Sequence, residues 1–279
     1  MLQTDNLFQS VVSQKKQKTR QSLSAVVMTK NVEAVIEKCL KSITWADEIV
    51  VIDGFSTDRT MEICKKYTDK IIQNRWDGFR FCTERNLGTE HATGDWVLQI
   101  DPDECMTEDL KTKILEVLVN VSLPYVAYEY RKKNYFLGHW MQYGGWYHYT
   151  LHFFKKGYAE YEGIIHESLK VYGPVGKIEA AVEHYPFQNI AQFIDRHNGY
   201  SDREALQILE KKEILPNSTI WYHLTLRPVK LFIKFYIKKK GYRDGIYGFI
   251  FSILFSWVHF LNWLKYWELV KNHARHTHH

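Results

Sequence analysis

Between residues 23 and 119, short runs of aliphatic and β-branched residues alternate with stretches whose apolar positions recur at three- and four-residue spacing. That rhythm belongs to a parallel sheet covered by helices. It predicts strands over 23–28, 48–52, 70–73 and 96–100. Helices are expected between them: Val32, Val35, Ile36, Cys39, Leu40 and Ile43 mark the first, residues 59–67 the second and 82–91 the third. In an open α/β sheet, ligands bind beyond the carboxyl ends of the strands. Those ends are polar here: Thr29, Lys30 and Asn31 after the first strand, Asp53 to Arg59 after the second, Asp101 and Asp103 after the fourth. One shared site accounts for all three.

Past Pro124 the pattern turns to aromatic, strand-like runs over 125–131, 150–154, 167–171 and 178–184. Gly138, Trp140, Gly144, Gly145 and Trp146 crowd one gap, either as a pocket whose rings stack on a sugar or base, or as an aromatic core turn. A long helix is expected over 189–211, with Pro216 as a breaker. From Arg227, the residues Lys230, Lys234, Lys238, Lys239, Lys240 and Arg243 interleave with Leu231, Phe232, Phe235, Tyr236 and Ile237, and no acid stands among them. This is the composition of a helix lying on anionic lipid. The apolar run 246–264 approaches the length of a membrane span. Ser252, Ser256, His259 and Asn262 form one polar stripe, and Trp257, Trp263, Tyr266 and Trp267 suit the headgroup level, so an in-plane or domain-packed helix is favoured over a span.

The pattern divides the chain into a polar basic extension (1–21), an α/β domain (22–212, with halves 22–122 and 123–212), a basic and aromatic helical region (213–270) and a His-rich tail (271–279). A net charge of +5 over 279 residues is too modest to argue for nucleic acid. Cys39, Cys64, Cys82 and Cys105 are widely spaced, with no Cys-x-x-Cys pair, and read as reduced thiols. Residues 1–21 lack the apolar core of a secretory signal. A cytoplasmic protein held peripherally at the inner membrane is the expectation.

The fourth strand, Trp96 to Ile100, runs directly into Asp101, Pro102, Asp103 and Glu104. Enclosing three carboxylates is costly unless a cation neutralises them. An Asp-x-Asp pair suits Mg2+ or Mn2+ shared with a diphosphate, since such ions take hard oxygen ligands and keep positions open. Pro102 biases Asp101 toward an extended backbone.

These residues, together with segments 23–31, 45–53, 56–60, 76–79, Arg85 and Asn86, 165–167, 183–185 and 242–245, resemble the family 2 glycosyltransferases of GT-A fold. The branch they most resemble contains lipopolysaccharide core β-glucosyltransferases. The resemblance implies a Rossmann-like, mostly parallel central sheet flanked by helices, with a membrane-associating helical extension. It implies a UDP-sugar donor contacted by Thr29, Asn31, Asp53, Ser56 and Arg85, with Asp101 on the ribose or the metal and Asp103 on the metal. A hexose, glucose in the first place, would pass to a glycan or glycolipid acceptor. Inverting transfer needs a base for the acceptor hydroxyl. Glu167 is the first candidate and Glu104 the second, with His166 as a metal or phosphate ligand; a salt bridge for Glu167 and a core position for His166 are the plain alternatives.

The pattern departs from the family at Gly54, Phe55 and Ser56, where Ser-Gly-Ser is usual, at Pro102, where alanine is frequent, and at Asn31-Val32-Glu33, which lacks the acid that commonly follows the asparagine. No carboxylate is lost. A glycoside hydrolase would need two carboxylates flanking a bond and no metal. A polyprenyl-phosphate sugar synthase would share the Asp-x-Asp pair and the membrane contact, and a membrane-bound scaffold without catalysis would share the fold alone.

Overall fold

The computed structural model describes residues 20–75, 81–120, 122–163, 168–211 and 215–276. The first half alternates β1 (Leu23–Thr29), α1 (Ile36–Ser42), β2 (Glu48–Asp53), α2 (Thr60–Cys64), β3 (Ile71–Gln73), α3 (Phe81–His91) and β4 (Trp96–Ile100). β5 (Glu104–Cys105) and α4 (Glu108–Val119) close it. The second half contains β6 (Ala127–Phe136), β7 (His139–Trp140), β8 (His148–Lys155), β9 (Ala159–Glu162), β10 (Ser168–Val171) and β11 (Val175–Phe187). Helices follow: α5 (Ile190–Lys211), α6 (Asn217–Leu224), α7 (Leu226–Ile233) and α8 (Gly245–His276), with a π-turn over Lys234–Lys238 and a 3-10 turn over Gly241–Asp244 before the last.

One nine-stranded sheet, ordered β3-β2-β1-β4-β8-β6-β11-β5 with β7 beside β6, spans both halves. The first four strands are parallel. β8 then runs antiparallel to both β4 and β6, so the sheet is mixed. Every residue of β1 is buried because helices cover both faces. Val27 and Ala25 face Leu40 of α1 and Ile114 of α4, whereas Val26 packs toward Ala92 and the α3 side. Gly88 lets α3 sit close, since a Cβ there would lie 2.3 Å from Val26 Cγ1.

Two differences from the sequence pattern bear on the strand ends and the cleft. The helix expected from Val32 begins only at Ile36, because Val32 N donates to Thr60 Oγ1 (2.8 Å) and Glu33 N to Asp58 Oδ2 (3.1 Å), which binds this turn to the loop after β2. β6 continues past Arg131 to Phe136, its polar residues concealing a strand whose alternate positions Tyr128, Tyr130, Lys132, Asn134 and Phe136 all point inward.

The C-terminal helices complete the far end of the domain. Phe251 of α8 packs with Phe136, Met141, Phe187 and Phe193, and further along Trp263 and Tyr266 pack with Ala205 and Ile220. The serines of the polar stripe face inward: Ser252 and Ser256 are buried and donate to Gly248 O and Ser252 O (both 2.7 Å). By length and composition α8 is apolar enough to cross a membrane. Residues 1–19 of the basic extension, segment 76–79, the pair His166 and Glu167, and residues 277–279 of the tail lie outside the described residues.

Candidate active site

The loops after β1 and β2 are laced together. Thr29 and Asp53 are paired across the parallel ladder, and both are buried. Asp53 accepts from Thr29 Oγ1 (3.1 Å), Ser56 Oγ (2.5 Å), Ser56 N (3.0 Å) and Gln73 Nε2 (3.1 Å). Asn31 Oδ1 accepts from Thr57 N (2.8 Å), and Asn31 N donates to Ser56 Oγ (3.0 Å). Both Asn31 (φ 53°) and Phe55 (φ 58°) adopt the left-handed backbone. For Asn31 this is tolerable; for Phe55 it costs about 1–2 kcal/mol. The Phe55 ring is left 48% exposed, so packing does not compensate the strain.

The fourth strand end holds the carboxylates. Asp101, Pro102, Asp103 and Glu104 form a tight turn closed by Glu104 N to Asp101 O (2.9 Å), with proline at the position that favours it. Tyr185 N of β11 donates to Asp103 O (2.8 Å), fastening the turn to the second half. Cations of the chain itself stand beside all three carboxylates. Arg85 Nη2 lies 2.8 Å from Asp101 Oδ1, and Lys132 Nζ lies 3.5 Å from Asp101 Oδ2 and 2.5 Å from Glu104 Oε1. His184 Nε2 lies 3.4 Å from Asp103 Oδ1 and Arg196 Nη1 3.2 Å from Asp103 Oδ2. Three carboxylates thus meet three permanent cations and one histidine.

The electrostatics follow from this packing. Enclosure would raise the Asp101 carboxyl, yet Arg85 and Lys132 hold it well below the usual carboxylate range. Enclosure is likewise outweighed at Asp103, held low mainly by His184. Burial pushes Glu104 up, with Lys132 offsetting only part of the effect. At Lys132 burial works against the charge, but Glu104 and Asp101 more than restore it. His152 lies 2.7 Å from the Tyr161 hydroxyl; burial, with Arg85 and Lys132 nearby, pushes it down to about 3, so it is neutral. Asn134 fixes His184: its amide nitrogen donates to Trp146 O and Lys132 O, which leaves Oδ1 to accept from His184 Nδ1 (2.5 Å).

Asp101 and Asp103 open onto a cleft of about 740 Å³ that Lys30, Arg85, His184, Arg196 and Arg203 also line. This is the size of a small-molecule site. Trp146, Phe187 and Phe255 supply its apolar wall, the last from α8.

The structure therefore brings Arg85, Asp101 and Asp103 together as the sequence implies. Thr29, Asn31, Asp53 and Ser56 lie at adjoining strand ends, where both Asp53 oxygens accept hydrogen bonds that tie the two loops together. The Glu104 side chain is wholly buried, Oε2 accepts from Asp101 N (2.9 Å) and Oε1 faces Lys132, so it braces the turn. Glu167 and His166 fall outside the described residues. Lys132, Asn134, His184 and Arg196 were not singled out from sequence. The first two occupy the inward register of an alternating strand, where a buried polar side chain needs a partner; that signal emerges only once the strand itself is recognised.

Among the described residues no three His, Cys, Asp or Glu side chains are arranged to hold a metal ion. The donor chemistry of Asp101 and Asp103 nevertheless fits Mg2+ or Mn2+, which takes one or two carboxylates and fills its other positions with water and phosphate. Asp103 is the more releasable of the two, its cationic partner Arg196 being 32% exposed against 7% for Arg85 at Asp101.

The sequence relatives of this chain are glycosyltransferases. An uncharacterised glycosyltransferase of Rickettsia typhi is 26% identical over 262 residues, covering 88% of this chain and 87% of its own. The lipopolysaccharide core biosynthesis glycosyltransferase LpsC of Rhizobium meliloti is 25% identical over 263 residues, covering 88% and 92%. Among solved structures, S. aureus TarS 1–349 aligns over 91% of each chain at 13% identity, with a TM-score of 0.45. The family model for glycosyl transferase family 2 matches residues 24–169, more than half the chain and the segment that carries Asp101, Asp103 and Lys132. The chain belongs to glycosyltransferase family 2.

Proposed function

We propose that the protein is a metal-dependent inverting hexosyltransferase. It moves a hexose, glucose in the first place, from a UDP-sugar to a lipopolysaccharide-core or related cell-surface glycan, working in the cytoplasm against the inner membrane. The observation that carries this reading is the cleft floor, where Asp101 and Asp103 stand among Lys30, Arg85, Arg196 and Arg203. Two carboxylates within a ring of cations suit a nucleoside diphosphate that arrives with a divalent ion. The name of LpsC supports the acceptor class.

Asp101 and Asp103 would hold Mg2+ or Mn2+, which when bound offsets charge on the leaving diphosphate. Lys30, Arg196 and Arg203 add fixed positive charge in the same cleft, where the diphosphate becomes more negative as the glycosidic C–O bond breaks. Arg85 and Lys132 keep Asp101 ionised and in place. Trp146 and Phe255 offer ring faces for the hexose. The acceptor hydroxyl gives its proton to a base as its oxygen attacks the anomeric carbon, and Glu167 is the base in this reading.

The test is a screen of UDP-sugars for UDP release, followed by acceptor extracts. Chelation by EDTA should abolish turnover, and Asp103→Asn should lower it by about 100-fold or more. Turnover untouched by EDTA removes the metal, and a Glu167→Gln variant of near-normal rate removes the base. The outward apolar and basic side chains of α7 favour a second reading, a polyprenyl-phosphate acceptor. Assaying a polyprenyl phosphate against a lipopolysaccharide acceptor separates the two. An inactive scaffold would show no metal-dependent UDP binding by calorimetry.

A further inference from the structure

The helix α7 buries none of its residues. Leu226, Val229 and Ile233 recur on one helical stripe and point outward, Val229 being 58% exposed, and Ile237 of the following turn continues the stripe at 52%. Arg227, Lys230 and Lys234 fall on the adjoining stripe, and with Lys238 and Lys239 they line a groove of about 600 Å³. α8 adds to the same surface. Its outward stripe of Ile246, Phe249 and Ile253 is exposed, and Phe249 meets Phe232 and Tyr236 edge-on at 5.9 and 5.6 Å. α8 thus carries apolar side chains on both sides, with Phe251, Trp263 and Tyr266 toward the protein and Ile246, Phe249 and Ile253 toward the surroundings.

We propose that α7, the turn after it and the outward stripe of α8 form a docking face for an anionic phospholipid bilayer, with both helices in the plane of the interface. Leu226, Val229, Ile233 and Ile237 enter the acyl boundary, and Arg227, Lys230 and Lys234 meet lipid phosphates. Charge complementarity selects this occupant. Residues 215–243 contain no Asp or Glu, and the next acid, Asp244, is buried beneath Gln142 N and Tyr143 N. A second copy of the chain on the same face would set these cations against themselves.

A spanning α8 is disfavoured by its other side. That side is fastened to α5 by Tyr266 and Trp263 in the core and by Lys265, which lies 2.6 Å from Asp202 Oδ1 and donates to Asn198 O (2.7 Å). The docking face also joins the cleft. Gly144 N donates to Lys239 O (2.9 Å), and Trp146 packs on Phe251 of α8 at 4.8 Å between ring centroids. A lipid-borne acceptor therefore meets the bilayer-bound helices and the aromatic cleft wall as one body. The inference deepens the membrane part of the proposed function and rests on it.

The experiment is flotation of the full chain with vesicles of phosphatidylcholine alone and with about 30% phosphatidylglycerol, at low and high salt. Binding is expected on the anionic vesicles only, falling with salt. Each lysine neutralised should lower partitioning about fivefold, so Lys230→Gln, Lys234→Gln and Lys238→Gln together lower it on the order of 100-fold. Val229→Asp with Ile233→Asp should abolish it without changing the thermal melt, because neither side chain is buried. An alkaline carbonate wash should release the protein.

Equal binding to neutral vesicles, no binding at all, resistance to carbonate, or a dimer in light scattering that Val229→Asp with Ile233→Asp dissociates would each overturn the docking face as proposed. UDP release measured in parallel keeps the two readings apart. Turnover without flotation sinks only the docking face, and flotation without turnover on any UDP-sugar sinks the transferase reading.

Discussion

Replacing Lys132 by methionine keeps the length of the side chain and removes the ammonium that stands 2.5 Å from Glu104 and 3.5 Å from Asp101. At an effective dielectric of about 20 these separations correspond to roughly 7 and 5 kcal/mol of gross attraction. Most of that is offset by the cost of desolvating the ions. Removing one partner of a buried pair therefore leaves a net loss of about 3–5 kcal/mol, because the other charge stays behind without compensation. Glu104 has no water to turn to, its side chain being wholly buried. At roughly 2–4 °C per kcal/mol, Lys132→Met should melt about 6–20 °C below the parent. Circular dichroism melts of Lys132→Met, Glu104→Gln and the double variant make the cycle. The double variant should recover at least about 2 kcal/mol relative to the sum of the singles, since neutral glutamine no longer needs the ammonium. A Lys132→Met melt within about 2 °C of the parent, or strict additivity, would refute the ion-pair account of this site.

Phe55→Gly should be neutral to stabilising by up to about 1 kcal/mol in urea titration, because relief of the left-handed backbone exceeds the extra chain entropy of glycine. A loss above about 1 kcal/mol would show that the ring packs after all. Acid stability should carry the mark of Glu48. Burial raises its carboxyl, but Lys70, Ser24 and Thr93 bring it down from 4.5 to about 2. A depressed carboxylate contributes its stability in full above the unfolded value and loses it as pH falls through the folded one, so roughly 3 kcal/mol should vanish between pH 4.5 and about 2. Glu48→Gln should flatten that part of the profile, and an unchanged slope in urea midpoints would assign it to other groups. Gly248→Ala would place a Cβ 1.8 Å from Gly241 O, and the start of α8 should detach at a cost of about 1–3 kcal/mol or more. Limited proteolysis near residue 244 reads this directly, and parental resistance would count against it.

The strands at the centre of the sheet were legible because β1, β2 and β4 are short apolar runs ended by polar residues, and burial on both faces leaves such runs no other use. The Asp101 and Asp103 pair was legible for the same reason, from its place at a strand end. What surrounds the pair was not. Arg196 comes from a helix 93 residues further on, and no local spacing announces a contact of that range. His184 reads as the tail of a strand until the register sets it opposite Asn134 on one side and Glu104 on the other. Lys132 was concealed by its neighbours: Arg131, Lys132, Lys133 and Asn134 look like a solvated stretch, and only strand alternation reveals that two of the four point inward. Asp53 shows the converse, a polar residue at a strand end whose oxygens are bonded within its own loops, which no local spacing foretells.

The sheet that carries these residues is one continuous ladder from β3 to β5, with β8 bonded to β4 on one side and β6 on the other. Swinging the first half against the second would tear backbone hydrogen bonds at that seam, and β11 adds a second weld through Tyr185 and the turn at Asp103. Hinged closure, the usual way for two lobes to trap a ligand, is therefore denied to this protein. Entry and exit of any ligand fall to loops and side chains above a rigid floor. The turnover rate should then respond to changes in those loops far more than to anything that loosens the two halves.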